Sequence, residues 1–134
     1  MASLGDYPAA AVLRAEDLAR ASKFYSEVLG LKPRDLSGPP SEGLAMFTAG
    51  DGTGVLIYER PGMPAPQNTA LGFGVPAEQF DEIAAALRAK GVTFEDYDLP
   101  EIGLKTVDGI AEFEGSKAVW FKDSEDNIVN IATM

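Results

Sequence analysis

The chain has 134 residues, of which 46% are hydrophobic and 24% charged, a length and composition typical of one globular domain with a substantial core. It contains no cysteine and no histidine, which excludes disulfides, thiolate metal sites, cysteine nucleophiles, the usual general base and the usual zinc ligand. The formal net charge is −10, with ten acidic and three basic residues from Glu95 onward; nucleic-acid binding, which needs a basic face, is therefore not expected.

Two interpretations of the acidic excess stay open. Most such charge is solvated surface, but an acidic rim that attracts cationic ligands is the second possibility. The first ten residues lack the basic segment and apolar run of a secretory signal. No apolar stretch reaches the length that spans a membrane. The sequence therefore predicts a cytoplasmic protein without a membrane partner.

The first half of the chain predicts one helix among four strands. Residues 16–30 carry an apolar stripe at helical spacing that includes Leu18 and Tyr25. Asp17 is the expected N-cap, and Gly30 is expected just past the C-terminal end. The strands are expected at residues 9–13, 31–34, 44–48 and 54–59.

The same order returns after a proline-rich connector at residues 61–68. A second helix is expected at residues 76–91, with Phe80 and Leu87 on its apolar face. Residues 95–108 are expected to form a long polar loop. The strands are expected at residues 70–75, 92–94, 109–113, 117–123 and 127–133.

The repeat predicts the fold class, because self-similarity at a fixed spacing outranks any single motif. The corresponding residues Ala10 and Ala70 begin two βαβββ modules, at residues 8–60 and 69–134. We expect an α+β protein with a single domain over residues 1–134, in which a curved mixed sheet surrounds a central cleft. One helix covers only one face of each sheet, and clefts at such junctions are common ligand sites.

Alternation along each strand assigns side chains to the helix side or to the cleft side. The helix side is expected to hold Ala11, Leu13, Leu56, Tyr58, Leu71, Phe73, Val75, Val119, Phe121, Val129 and Ile131. The cleft side is expected to hold Ala10, Val12, Arg14, Ile57, Glu59, Ala70, Gly72, Trp120, Ile128, Asn130 and Ala132.

The order of elements resembles the vicinal oxygen chelate superfamily, which includes glyoxalase I, extradiol dioxygenases, fosfomycin-resistance enzymes and bleomycin-binding resistance proteins. Three stretches carry the likeness: residues 16–33, the pairing of residues 73–75 with the second helix, and WFKDSEDNIVNI at residues 120–131. The last resembles the family ending F-x-D-P-D-G-N-x-x-E, with Ser124 for proline and Asp126 for glycine. Enzymes of the family hold a divalent metal with His, Gln or Glu at four cleft-facing positions.

The resemblance places those four positions at Ala10, Ile57, Ala70 and Asn130, with Glu59 as the second if the register moves by two residues. Two alanines and an isoleucine have no lone pair to donate, and oxygen-only sites gather six or more donors. The resemblance therefore implies a member that has lost the metal ligands and has no cofactor.

The expected ligand-contacting residues are Arg14, Ile57, Glu59, Trp120 and Asn130. Asn130 is either an amide satisfied by backbone or a ligand contact. Trp120 is either core or a platform for a planar or cationic ligand. Arg14 either ends its strand in solvent or recognises a carboxylate or phosphate. Glu59 is either a surface charge or the partner of Arg14.

Three functions are compatible with these residues. The first is metal-free binding of an unidentified small molecule in an apolar cleft, similar to the bleomycin-resistance branch. The second is a metal-independent lyase or isomerase with Glu59 as base and Arg14 stabilising an oxyanion. The third is a structural or interaction subunit with a vestigial cleft. The resemblance also implies a homodimer.

Overall fold

The computed structural model describes residues 3–34 and 43–134, and these residues form ten strands and two α-helices. The chain divides into two compact units, Met1–Ala65 and Pro66–Met134. Each unit contains one mixed sheet and one α-helix. The division falls inside the predicted connector. The single domain and the central cleft stay predictions.

The first unit follows the predicted order of one helix among four strands. Its elements are β1 (Ala10–Ala15), α1 (Leu18–Lys23), a π-helical segment (Phe24–Val28), β2 (Lys32–Arg34), β3 (Leu44–Thr48) and β4 (Gly54–Glu59). The carboxylate of Asp17 accepts the N–H of Arg20 at 3.1 Å, as an N-cap does. Gly30 follows the helical segment at φ 77°, a conformation that glycine adopts readily.

The sheet of the first unit has the order β1-β4-β3-β2, with β1 parallel to β4 and the other pairs antiparallel. Leu13, Phe47 and Ile57 are buried on one face of it. The buried ring of Tyr25, in the helical segment, lies 6.1 Å from the ring of Phe47. This face is therefore the one that the helical segment covers.

The second unit repeats this arrangement and adds two strands. Its elements are β5 (Thr69–Val75), α2 (Ala77–Ala89), β6 (Asp98–Leu99), β7 (Leu104–Val107), β8 (Ile110–Phe113), β9 (Ser116–Lys122) and β10 (Ile128–Thr133). The order is β5-β10-β9-β8-β7-β6, again with the first strand parallel to the last. The first four strands in this order match β1-β4-β3-β2. The α+β class is confirmed, and the topology repeats.

The core of the second unit lies between its sheet and α2. Val119, Phe121 and Val129 are fully buried and alternate with more exposed neighbours along β9 and β10. On α2, the buried residues are Phe80, Ala84 and Leu87. The helix-side prediction for β9 and β10 is confirmed.

Two sequence predictions about residues 92–108 are wrong. The expected strand at residues 92–94 is absent, and Phe94 makes only an isolated bridge to Phe121. The expected polar loop contains β6 and β7. Polar side chains stabilise this segment: the Asp96 carboxylate accepts hydrogen bonds from the Thr106 hydroxyl and from the Gly109 N–H, both at 2.8 Å.

The predicted facing of β4 is also wrong. Ile57 pairs with Leu13 and is 1% exposed, so it belongs to the helix-side core. Leu56 and Tyr58 pair with Val12 and Arg14, on the opposite face. Every residue from Val55 to Tyr58 is apolar, so the sequence shows no alternation of polar and apolar side chains that would assign each residue of β4 to a face of the sheet.

Neither α1 nor α2 has the length and hydrophobicity of a membrane-crossing helix, and none exists elsewhere in the described part of the chain.

Candidate functional site

Three residues on adjacent strands of the second sheet form one row, which we call the Asn130 row: Gly72 on β5, Asn130 on β10 and Trp120 on β9. Asn130 pairs directly with both of the others. The row lies on the face away from α2, because Val119, Phe121, Val129 and Ile131 occupy the helix side. Trp120 and Asn130 thus face away from α2, and their facing a cleft stays a prediction.

The Asn130 amide is oriented by the neighbouring strand. Its Nδ2 donates to the Val119 carbonyl at 3.1 Å. A carbonyl only accepts hydrogen bonds, so the nitrogen must face Val119 and the oxygen must face away. Oδ1 lies 3.5 Å from where a Cβ on Gly72 would stand. Within residues 3–34 and 43–134 no donor contacts Oδ1. Half of the amide is thus satisfied by backbone, and the other half presents an acceptor.

Trp120 is half-buried and held by a residue that the sequence did not single out. Tyr97 packs edge-on against the indole, with ring centroids 5.6 Å apart at 83°. The Trp120 carbonyl accepts the N–H of Glu95 at 2.7 Å. Burial, and then the charge of Glu95, raises the pKa of the Tyr97 phenol, so this ring stays neutral well above physiological pH. The only signal for Tyr97 was an aromatic residue among acids in EDYDLPE.

Small side chains border the Asn130 row on one side. The next row contains Gly74, Ala132 and Ala118. On the other side Lys122 pairs with Ile128, and its Nζ lies 3.9 Å from the Glu95 carboxylate. Both charged groups are partly exposed, so this ion pair is weak. The side chains next to the indole and the amide on this side are therefore small.

The first unit does not bring Arg14 and Glu59 together. Arg14 lies on the face away from α1, in register with Tyr58, and is buried with Nη2 3.9 Å from the Glu16 carboxylate. Glu59 lies on the α1 side, where its carboxylate accepts the N–H of Leu18 at 2.8 Å. The predicted facing of Glu59 is wrong, because its carboxylate caps the start of α1. A ligand contact by Glu59 or by Arg14 stays a prediction.

The model of the glyoxalase/bleomycin resistance protein/dioxygenase superfamily matches residues 8–124. The chain belongs to this superfamily. No curated protein sequence matches it.

Solved structures of several other proteins share the fold of this one at low sequence identity. The oxidase ChaP-H2 is 20% identical with a TM-score of 0.69, covering 96% of this chain and 93% of that chain. A glyoxalase/dioxygenase from Nostoc punctiforme is 16% identical with a TM-score of 0.67, covering 91% and 86%. The fosfomycin resistance protein FosX from Listeria monocytogenes, complexed with Mn(II) and sulfate, is 16% identical with a TM-score of 0.66, covering 100% and 94%.

At the four positions where the sequence resemblance expects metal ligands, the side chains do not fit a divalent cation, and the assignment of those positions stays a prediction. In the first unit Ala10 is a hydrocarbon, and Ile57 lies in the core instead of on the face away from α1. In the second unit Ala70 lies in a register irregularity beside Ile128, and Asn130 contributes one amide oxygen. Across the described ranges, no three His, Cys, Asp or Glu residues are grouped to hold a metal.

Proposed function

We propose that this superfamily member is a small-molecule binding protein that works without the family metal and holds a planar ligand on the Asn130 row. The observation that supports the proposal is the register of Gly72, Asn130 and Trp120. The sheet face that α2 leaves uncovered brings three features side by side. Gly72 has no side chain, Asn130 is a fixed hydrogen-bond acceptor, and Trp120 is the only tryptophan of the sequence.

Each member of the row has a distinct physical role. The indole offers a flat apolar surface, and stacking of aromatic rings is worth about 0.5–1.5 kcal/mol beyond the area it buries. Its edge contact with Tyr97 limits how far the ring turns. Gly72 leaves room for a ligand atom next to Oδ1. Asn130 then fixes the orientation of that atom.

The two other functions are affected differently by the structure. The lyase or isomerase built on Glu59 and Arg14 is not retained, because these side chains lie on opposite faces of the first sheet. A structural or interaction subunit is the competing proposal. It is favoured by the first unit, where the row Val12, Leu56 and Met46 holds hydrocarbon and thioether groups only. The homodimer and the cytoplasmic location stay predictions.

Native mass spectrometry of freshly purified protein tests the proposal by looking for a co-purified small molecule. We expect a bound mass that is released on denaturation and is lost in Trp120→Leu. The matched control is Tyr7→Leu, which removes an exposed aromatic ring (58% exposed) from the first unit. This control is expected to retain the bound mass.

Trp120 fluorescence gives a second readout, since no other tryptophan contributes. The proposal is overturned if no mass co-purifies and if planar cationic, neutral and anionic aromatic compounds all leave this fluorescence unchanged. The structural-subunit proposal would then take its place.

A further inference from the structure

The geometry points to the ligand class: a planar molecule that presents an N–H donor, favoured when it carries positive charge, and not a carboxylate or phosphate. The inference rests on the proposed function, because it concerns the same Asn130 row. It goes further by assigning which atom of Asn130 the ligand meets and what chemical group must meet it.

The first step is the fixed polarity of the Asn130 amide. An asparagine in solution offers both donors and an acceptor. Here Nδ2 is held by the Val119 carbonyl at 3.1 Å, inside the backbone of the neighbouring strand. Turning the amide over would bring Oδ1 against that carbonyl, where two acceptors repel each other. A ligand therefore meets Oδ1, and only a donor group forms a hydrogen bond with it.

The second step is access to Oδ1. Gly72 is the residue next to Asn130 on β5, and a Cβ there would stand 3.5 Å from Oδ1, at ordinary van der Waals distance. The absence of that carbon leaves open the side from which a ligand atom approaches. Since the Gly72 φ angle is not in the left-handed region, alanine is compatible with the backbone at this position.

The third step is the charge that surrounds the row. The face of an indole ring attracts cations and repels anions. Beside the row, the cation Lys122 lies in the neighbouring pair of β9 and β10 with its Nζ 3.9 Å from the Glu95 carboxylate, so the formal charges of these two residues sum to zero. The Tyr97 phenol stays neutral because its pKa is raised by burial and by Glu95. With a chain charge of −10, these features favour a cationic donor such as an amidinium or a protonated aminopyridine.

Benzamidine and benzoate test the inference, because they are planar probes of nearly equal size with opposite charge and opposite hydrogen-bonding character. Binding is measured at fixed ionic strength by quenching of Trp120 fluorescence and by the NMR shift of the Asn130 side-chain amide. We expect benzamidine to bind at least tenfold more tightly than benzoate. Gly72→Ala is expected to weaken benzamidine binding at least fivefold.

Gly74→Ala is the matched control, since its new Cβ would lie 3.1 Å from the flexible Met134 side chain and not against Asn130. It is expected to bind benzamidine as the parent protein does. Amide NMR spectra of both variants check that the second sheet is intact.

The possible failures separate the two proposals. If benzoate binds as tightly as benzamidine or more tightly, the ligand class is wrong while the binding site stands. If benzamidine binds equally well to Gly72→Ala, the donor does not meet Oδ1, and the inference is overturned. If neither probe changes either signal, the proposed function fails and the inference fails with it.

Discussion

The two sheets carry rows at equivalent positions that differ completely in chemistry. Val12 and Gly72 each lie two residues after the corresponding Ala10 and Ala70, and each row crosses the first strand of its unit, the last strand and the strand before the last. The rows are Val12, Leu56 and Met46 in the first unit and Gly72, Asn130 and Trp120 in the second. A repeated topology has thus been kept while the face away from the helix has diverged.

Glycine shows the difference most clearly. In the first sheet a Cβ on Gly54 would lie 2.9 Å from the terminal methyl of Met46, so a side chain already fills that space. In the second sheet a Cβ on Gly72 would meet Asn130 at an ordinary distance, so the space is open. The helix-side residues specify the fold in both units, and the opposite face is free to acquire a site.

The largest expected effect comes from placing an asparagine on the wrong face of the first sheet. Ile57→Asn puts an amide into the core beneath α1 and is expected to cost about 3–5 kcal/mol of unfolding free energy. Leu56→Asn imitates Asn130 at the equivalent position and is expected to cost less than about 1.5 kcal/mol. Urea unfolding measures both. Equal losses would contradict the register and the comparison built on it.

A smaller effect is expected at the contact between Glu59 and the start of α1. Glu59→Ala removes the acceptor of the Leu18 N–H and is expected to cost about 0.5–2 kcal/mol. Glu59→Gln keeps an oxygen acceptor and is expected to cost less. Thermal unfolding measures the loss. Weaker benzamidine binding in Glu59→Ala at unchanged stability would contradict the capping role.

The stability of the protein is expected to respond differently when each of the two glycines is replaced by alanine. Gly72→Ala is expected to stabilise the protein by about 0.4–1 kcal/mol, because it lowers the entropy of the unfolded chain without strain. Gly54→Ala is expected to give no gain, because Met46 must move aside. Met46→Ala is expected to make Gly54→Ala neutral or favourable. Chemical unfolding of the single and double variants measures each difference.

The smallest expected effect is the pH dependence of stability that Tyr97 gives to the second unit alone. Its pKa is raised in the folded state, so on raising the pH the unfolded chain loses the phenolic proton first. This contribution is complete below the ordinary tyrosine pKa near 10.0 and is lost as the pH rises through the folded value. Tyr97→Phe is expected to flatten the decline of stability above that pKa, measured by urea unfolding between neutral and alkaline pH.

Phenolate absorbance follows the same group directly. The difference between the parent protein and Tyr97→Phe isolates one of the four tyrosines. A difference titration at or below the ordinary pKa would contradict the described surroundings of Tyr97.

Sequence patterns identified the helices and most strands because those segments are long enough to show a period. They also gave the facing of β9 and β10, where Asn130 and Lys122 are polar markers on one face. In β4 the apolar run supplied no such marker, so Ile57 and Leu56 were assigned to the wrong faces. The strands β6 and β7 have two and four residues, too few for alternation to be visible among polar neighbours.

The candidate site was only partly visible in the sequence, because its geometry depends on contacts between distant residues. Trp120 and Asn130 stood out by residue type. The hydrogen bond of Asn130 to Val119 joins residues 11 positions apart, and the packing of Tyr97 on Trp120 joins residues 23 positions apart. The capping of the Leu18 N–H by Glu59 joins residues 41 positions apart. The periodicity of apolar residues along the sequence does not indicate contacts between residues so far apart.

The position of β6 and β7 at the outer end of the second sheet has a consequence for engineering. The turn between them, at residues 100–103, lies at the opposite end of the strand order from β5, with β8 between these added strands and the Asn130 row. Chain length can change at this turn without altering how β5, β10 and β9 pair. An epitope or reporter peptide grafted beside Gly103, an exposed left-handed residue, would leave that pairing unchanged. Trp120 fluorescence would then show whether Tyr97, which precedes β6, keeps its contact with the indole.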